Sequence, residues 1–362
     1  MTGAYPSGTA TRSRIVAQDV ESVCERAASG LVRLAGKTLV VAGAAGFLPS
    51  HLVDAVAHAN DTLLDEPCRV ICLDNFVTGS ADRLAHLRGR TDVVLRRSDI
   101  SKEVALDEEI DFVVHAASIA SPTWYRRFPL ETIDVNVGGT RRLLDLALER
   151  DAAGLLYLSS SEIYGDPPPE SVPTPESYWG HVSSTGPRAP YDESKRLAET
   201  LCTTYHRVHE LPVVIVRPFN VYGPRLRLDD GRVVPDFVND ALADRPIVVR
   251  SDGRVTRSFC YVADFVSAAL LLLVDGDAGE AYNVGNDDEV TIMELAELVA
   301  DLAGGVGVRH EASDDPEYLV DNPSRRSPDL TKTKGSIPWE PLVPLGAGLD
   351  RTLAYYREGG AG

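Results

Sequence analysis

Cationic side chains are in short supply in this sequence. Lys and Arg number 36 against 54 Asp and Glu in 362 residues, a formal net charge of -18. Such a surface repels nucleic acid and anionic membranes, so neither is an expected partner. Cysteine is scarce and unpatterned. The five, Cys24, Cys68, Cys72, Cys202 and Cys260, are odd in number and show no CxxC spacing. That argues against a zinc site or a disulfide framework, hence no metal, and for a reducing cytosol. Long apolar runs are missing too. The stretch Ala268–Val274 falls far short of a membrane span. No basic start followed by an apolar segment marks a signal peptide. A soluble cytoplasmic protein is the expectation.

Apolar residues at 44% and charged residues at 25% are ordinary globular composition. The length suits one large α/β domain with a smaller partner. The first dozen residues, rich in Gly, Ser, Thr and Ala, read as a disordered tail. Ile15, Val16, Val20, Val23 and Cys24 then recur at helical spacing. Thr38–Ala42 is a short apolar run ended by Gly43, which predicts a buried strand. Arg69–Leu73, Val93–Leu95, Asp111–His115, Gly154–Ser159 and Val213–Arg217 predict further strands. Helical patterns lie at about 46–59, at Asn136–Arg150 and at Asp192–His209. This alternation predicts a Rossmann-type, doubly wound parallel sheet with both faces covered. After Asn220 the segments shorten and Arg and Asp become frequent. The expected division is residues 1–36 as tail and short helix, 37–220 as dinucleotide-binding domain and 221–362 mainly as substrate lobe. Later segments are expected to return to the first domain.

Strand one runs into Gly43-Ala-Ala-Gly46-Phe-Leu-Pro49. Glycines at this turn let the backbone approach a pyrophosphate, and the following helix N-terminus offers free N–H groups. Strand two ends at Asp74, whose carboxylate suits ribose hydroxyls and repels a 2′-phosphate. NAD is therefore the expected cofactor. Pro49 stands where a third glycine is usual, which the first turn of a helix tolerates.

Tyr191-Asp-Glu-Ser-Lys195 places a phenol and an ammonium on one helix face, roughly 6 Å apart between Cβ atoms. A nearby cation favours the phenolate, which can take a proton from a hydroxyl. Ser159-Ser160-Ser161, at a strand end, offers a hydroxyl to share that proton.

On these residues the sequence resembles the extended short-chain dehydrogenases/reductases, and within them the UDP-glucuronate decarboxylases (UDP-xylose synthases). The similarity runs from about Lys37 to Tyr356. Its most specific stretches are Ser160–Asp166, Tyr178–His181, Gly186–Arg188, Tyr191–Arg196, Asn220–Arg225, Asp230–Val234, Thr256–Arg257 and Arg326–Asp329. The resemblance implies oxidation of a UDP-sugar at C4 by NAD with Tyr191 and Lys195, then loss of carbon dioxide from the 4-keto sugar. It assigns Ser160 to the reacting hydroxyl, and Ser161 and Glu162 to C5 and the carboxylate. It implies NAD contacts at Gly43, Gly46, Phe47, Leu48, Asp74, Asn75, Phe76, Gly79, Asp99, Ile100, Ala116, Ser118, Ser159, Tyr191, Lys195, Val221 and Arg232. Substrate contacts fall on Tyr125, Asn136, Tyr205, Asn220, Arg225 and Arg257, and a homodimer is implied. Sugar 4,6-dehydratases carry Asp-Glu where this chain has Ser161-Glu162, which disfavours dehydration; a 4-epimerase is the first rival. Arg227 replaces a frequent His in the segment that reaches back to NAD. Asp134 replaces a substrate-pocket Lys, and Val208 and His209 replace an amide and an acid. These departures are expected to reshape the sugar pocket.

Overall fold

Side-chain alternation along β1 (Thr38–Ala42) sets the architecture. Leu39 and Val41 enter one apolar core and Val40 and Ala42 another, so the strand needs cover on both faces. The computed structural model, which describes residues 13–102, 104–313, 315 and 320–360, supplies that cover. The expected tail at residues 1–12 lies outside the described residues.

The strands are β1, β2 (Arg69–Asp74), β3 (Val93–Arg97), β4 (Phe112–His115), β5 (Gly154–Leu158), β6 (Val213–Pro218) and a seventh, Ala281–Val284. All pair in parallel, in the order Ala281–Val284, β6, β5, β4, β1, β2, β3. Chain direction across the sheet reverses between β1 and β4. Connections there diverge and leave a crevice beyond the strand ends, the usual ligand position in such sheets. The seventh strand lies within the stretch that forms the second lobe in sequence yet joins the main sheet beside β6. The second lobe holds helices Val233–Leu242 and Ile292–Leu302 and a small sheet. In that sheet Thr256–Ser258 pairs with Glu289–Thr291 on one side and Arg325–Arg326 on the other.

Helix Arg14–Arg26 begins at Ser13, whose hydroxyl accepts from the Ile15 amide at 3.3 Å. Its apolar face packs with helices Phe47–Thr62 and Val262–Asp275 in one core. Polar anchors fix the docking. Arg26 donates to the fully buried Asp264 at 2.5 Å, and that carboxylate also accepts from the Leu342 and Val343 amides at 3.1 and 3.0 Å. Removing one partner of a buried ion pair strands the other charge. Asp264→Ala is therefore expected to lower unfolding free energy by about 3–5 kcal/mol in urea denaturation. A change under about 1 kcal/mol would show the pair to be idle.

Candidate active site

The dinucleotide cradle starts at Gly43, whose φ of 80° favours glycine. A Cβ there would stand 2.6 Å from the Ala117 Cα, so the backbone approach forbids any larger residue. Gly46 caps helix Phe47–Thr62, and Pro49 lies in its first turn, where no N–H is needed. Asp74 closes the loop from below. Its oxygens accept from the amides of Ala45 at 2.9 Å and Phe76 at 2.7 Å. Asn75 caps the same turn by accepting from the Val77 amide at 3.0 Å. Phe76 and Gly79 border an open hollow with Arg97 and Tyr356, and Asp99, at the end of β3, binds Ser101 Oγ at 2.7 Å. Ile100 is buried against Gly139. The buried Ser159 hydroxyl has no partner among the described residues. A glycine cradle, an acidic strand end and a free hydroxyl together fit NAD.

The adjoining cavity, about 390 Å³, runs from this cradle into the second lobe. Gly46, Phe47, Leu48, Ala116, Ser118, Ser159 and Val221 line its dinucleotide side. Ser160, Ser161, Glu162, Tyr191, Lys195 and Tyr125 line the middle. Asn220, Arg232 and Arg257 lie toward the lobe.

Helix Ala189–His209 presents Tyr191 and Lys195, with Pro190 in its first turn. Tyr191 stacks on Tyr125 with centroids 5.3 Å apart and planes at 14°. Lys195 Nζ donates to the Leu158 carbonyl at 2.7 Å and sits 5.9 Å from the Tyr191 ring centroid. Burial brings Lys195 down to about 7. Burial also pushes the Tyr191 phenol well up, helped by Glu162 and Asp192, while the Ser160 hydroxyl and, less strongly, Arg232 draw it back. Arg232 joins Lys195 as a cation near the phenol.

β5 ends in Ser160, whose hydroxyl accepts from the Glu162 amide at 3.2 Å and so opens a tight turn over Ser161–Tyr164. Glu162 meets two guanidiniums. Arg326 grips it with two bonds of 2.5 and 2.7 Å, and Arg188 adds one of 2.5 Å. Burial alone would raise this carboxyl, but Arg188 and Arg326 hold it down to about 2. Asp192, buried beside Arg188 at 3.7 Å, is pushed up by burial and by Glu162. Arg257 is brought down to about 9 by burial and by Arg326, its neighbour across the small sheet.

Three expected substrate contacts lie elsewhere. Asn136 is fully buried in a π-helical turn, Asp134–Gly139, where it accepts from Ser118 at 2.8 Å and donates to Ser194 at 2.8 Å. It braces the wall behind the cavity. Tyr205 donates instead to Asp145 and stands off the cavity. Arg225 turns under helix Phe47–Thr62, paired with Asp54 at 2.8 Å and 4% exposed. Asp134, Val208 and His209 are exposed and line no part of the cavity, so these departures do not reshape it. Arg227 pairs with Asp229 and covers the Trp124 ring at 5.0 Å. Arg188 and Arg326 are the functional side chains that sequence reasoning missed. Both lay inside quoted motifs, but no spacing rule links residue 326 to residue 162.

Residues 39–285 match the model of the NAD dependent epimerase/dehydratase family. The chain belongs to that family. It is 43% identical over 312 residues to UDP-glucuronic acid decarboxylase 5 of Arabidopsis thaliana, covering 86% of each. Two solved structures share the fold. The dTDP-glucose 4,6-dehydratase of Streptomyces venezuelae, solved with NAD, aligns at TM-score 0.76 and 28% identity, covering 89% of this chain and 97% of that one. UDP-glucuronic acid 4-epimerase of Bacillus cereus, with UDP-glucuronic acid and NAD, aligns at 0.73 and 25%, covering 89% and 99%.

Lys195 has a measurable signature. Its folded value of about 7 lies below the unfolded value near 10.4, so the folded state binds fewer protons between them. The penalty for burying it is full below pH 7 and fades as pH rises toward 10. Without NAD, Lys195→Met should therefore stabilise the protein most at pH 6, and the gain over wild type should shrink by pH 9.5. A pH-independent difference in thermal unfolding would refute this assignment.

Proposed function

We propose that the protein is an NAD-dependent UDP-glucuronate decarboxylase that forms UDP-xylose through a UDP-4-keto sugar. The supporting observation is the pinned Glu162 beside Tyr191. NAD, when bound, supplies a reversible hydride acceptor at C4. Tyr191 takes the proton of the C4 hydroxyl, and Ser160 holds that oxygen in line. Lys195 and Arg232 set the charge around the phenol. A ketone at C4 stands β to the C5 carboxylate, so the C5–carboxyl bond breaks heterolytically. Carbon dioxide leaves and the bonding pair passes into the enolate of the ketone. One proton then adds to C5, and reduction of the C4 ketone completes the cycle with its proton returned by Tyr191.

Glu162 suits this sequence because it stays ionised. Glu162 takes up part of the positive charge of Arg188 and Arg326, so the substrate carboxylate drawn to them is not held so firmly that its conversion to neutral carbon dioxide is blocked. The same ionisation, with a serine at 161, leaves no acid to expel a C6 hydroxyl. The relative from Arabidopsis thaliana carries the decarboxylase name over most of both chains.

The homodimer belongs to this proposal. Leu130, Ile133, Leu148, Leu197 and Val208 are exposed large apolar residues on or beside the helices near Asn136–Arg150 and Asp192–His209, which would pair with their copies in a four-helix interface. Leu197→Glu should shift the mass in light scattering from dimer to monomer; a wild-type monomer would overturn the pairing.

Purified protein given UDP-glucuronate and NAD should release one carbon dioxide per UDP-sugar consumed, read by isotope release and mass spectrometry. A C4 epimer with no carbon dioxide would establish epimerisation instead. Tyr191→Phe should bind NAD as wild type does and lose turnover by about 10²–10⁴-fold. Retained turnover would remove Tyr191 from the chemistry.

A further inference from the structure

The charged side chains of the cavity fall into two groups. Most are already committed to protein partners. Arg188 and Arg326 hold Glu162, Arg232 holds Asp230, and Arg227 holds Asp229. Arg257 donates to Asn322 and the Pro323 carbonyl, Lys195 to the Leu158 carbonyl, and Arg126 to Asp315. Arg83 donates to the Ala45 and Arg225 carbonyls. Among the charged side chains that line the cavity, only those of Asp236 and Arg250 make no hydrogen bond or ion pair with a described residue.

Their place is informative. Asp236 sits in the first turn of helix Val233–Leu242, one turn beyond Arg232. Arg250 follows strand Ile247–Val249 directly. Between them the cavity is walled by Val248, Val255 and Ile292. Burial raises the Asp236 carboxyl to about 6, and Arg250 opposes the rise. Asp236 is half-buried without a donor and Arg250 is exposed at the cavity mouth, so with the apolar walls this end offers one acceptor and one donor to a flat ligand with both kinds of group.

A nucleotide sugar whose C4 lies at Tyr191 extends its diphosphate past Asn220, Arg232 and Arg257 and its nucleoside beyond them. The nucleobase then meets this end. Uracil offers N3–H, a donor, between two carbonyl acceptors. Cytosine offers an unprotonated N3 and an amino group instead. We propose that Asp236 and Arg250 read the imide edge of the nucleobase, Asp236 accepting from N3–H and Arg250 donating to a flanking carbonyl, which makes them specificity determinants for uracil-type nucleotides. The proposal rests on a nucleotide sugar as the substrate but not on the decarboxylation step.

Binding rather than turnover tests it. The full chain saturated with NAD is titrated calorimetrically with UDP-glucose, CDP-glucose, N3-methyl-UDP-glucose and 2′-deoxy-UDP-glucose. Wild type should bind UDP-glucose at least about tenfold tighter than the cytosine and N3-methyl probes, the effect of one bond to a charged group. Asp236→Ala should lose about that factor for UDP-glucose and erase the discrimination. Asp236→Asn, which keeps an acceptor oxygen, should restore part of it. Wild-type affinity should also fall as pH drops through 6. Arg250, Asp230 and Asp240 are the charges acting on Asp236, and the diesterified diphosphate does not titrate there. Asp236→Asn should remove that dependence. Unchanged discrimination in Asp236→Ala would overturn the proposal. So would a loss reproduced by the 2′-deoxy probe and not by N3-methylation. Absent carbon dioxide release with these binding results intact would refute the decarboxylase assignment and leave base reading standing.

Discussion

The bond between Glu162 and its two arginines is the joint on which the site depends. It gathers three distant pieces of chain: the turn after β5, the start of the catalytic helix and a short strand of the second lobe. Arg188 is the residue just before that helix, three places ahead of Tyr191, so gripping Glu162 also fixes where the phenol emerges. Arg326 pairs in register with Arg257, so the same grip aligns an arginine that borders the cavity. Such a pair contributes little net stability, since desolvation offsets attraction. Its worth lies in geometry. Neither lobe can shift without unpairing a buried charge.

Charge is distributed against the average of the chain. An acidic surface encloses a cavity bordered by Arg188, Arg232, Arg250, Arg257 and Arg326. This draws an anionic nucleotide inward and away from the general surface. The resting acid–base pair is nonetheless unready. Burial disfavours charge on both Tyr191 and Lys195, raising one and lowering the other. NAD held in the cleft would bring a positive nicotinamide beside Tyr191 and Lys195, and proton removal by Tyr191 would then depend on cofactor occupancy.

Strands and the cofactor turn were legible because they depend on local rules. A buried parallel strand needs a continuous apolar run, and Gly43 needs a positive φ; both show in a window of a few residues. The substrate wall was less legible. Asn136, Tyr205 and Arg225 carry suitable side chains, but helix rotation and a π-turn aim them at Ser194, Asp145 and Asp54. Asp134 lies on the same turn, and the turn that buries Asn136 leaves it in solvent. Pairing across 164 positions, as between Glu162 and Arg326, leaves no local trace. The seventh strand was hidden because Ala281–Val284 lies beyond the change of rhythm that marked the lobe.

The first and last described helices meet directly. Asp19 accepts from Arg351 at 2.7 Å and from Tyr261 at 2.7 Å, and burial raises its carboxyl. Further along the last helix Tyr356 donates to the Leu226 carbonyl, at the rim of the cofactor hollow. The described chain is therefore closed almost into a ring, and the fastening runs on to the cofactor's edge. In a ring the position of the opening is a matter of history more than mechanics. A rearranged gene that joined these two helices by a linker and opened an exposed loop elsewhere would keep the same cleft.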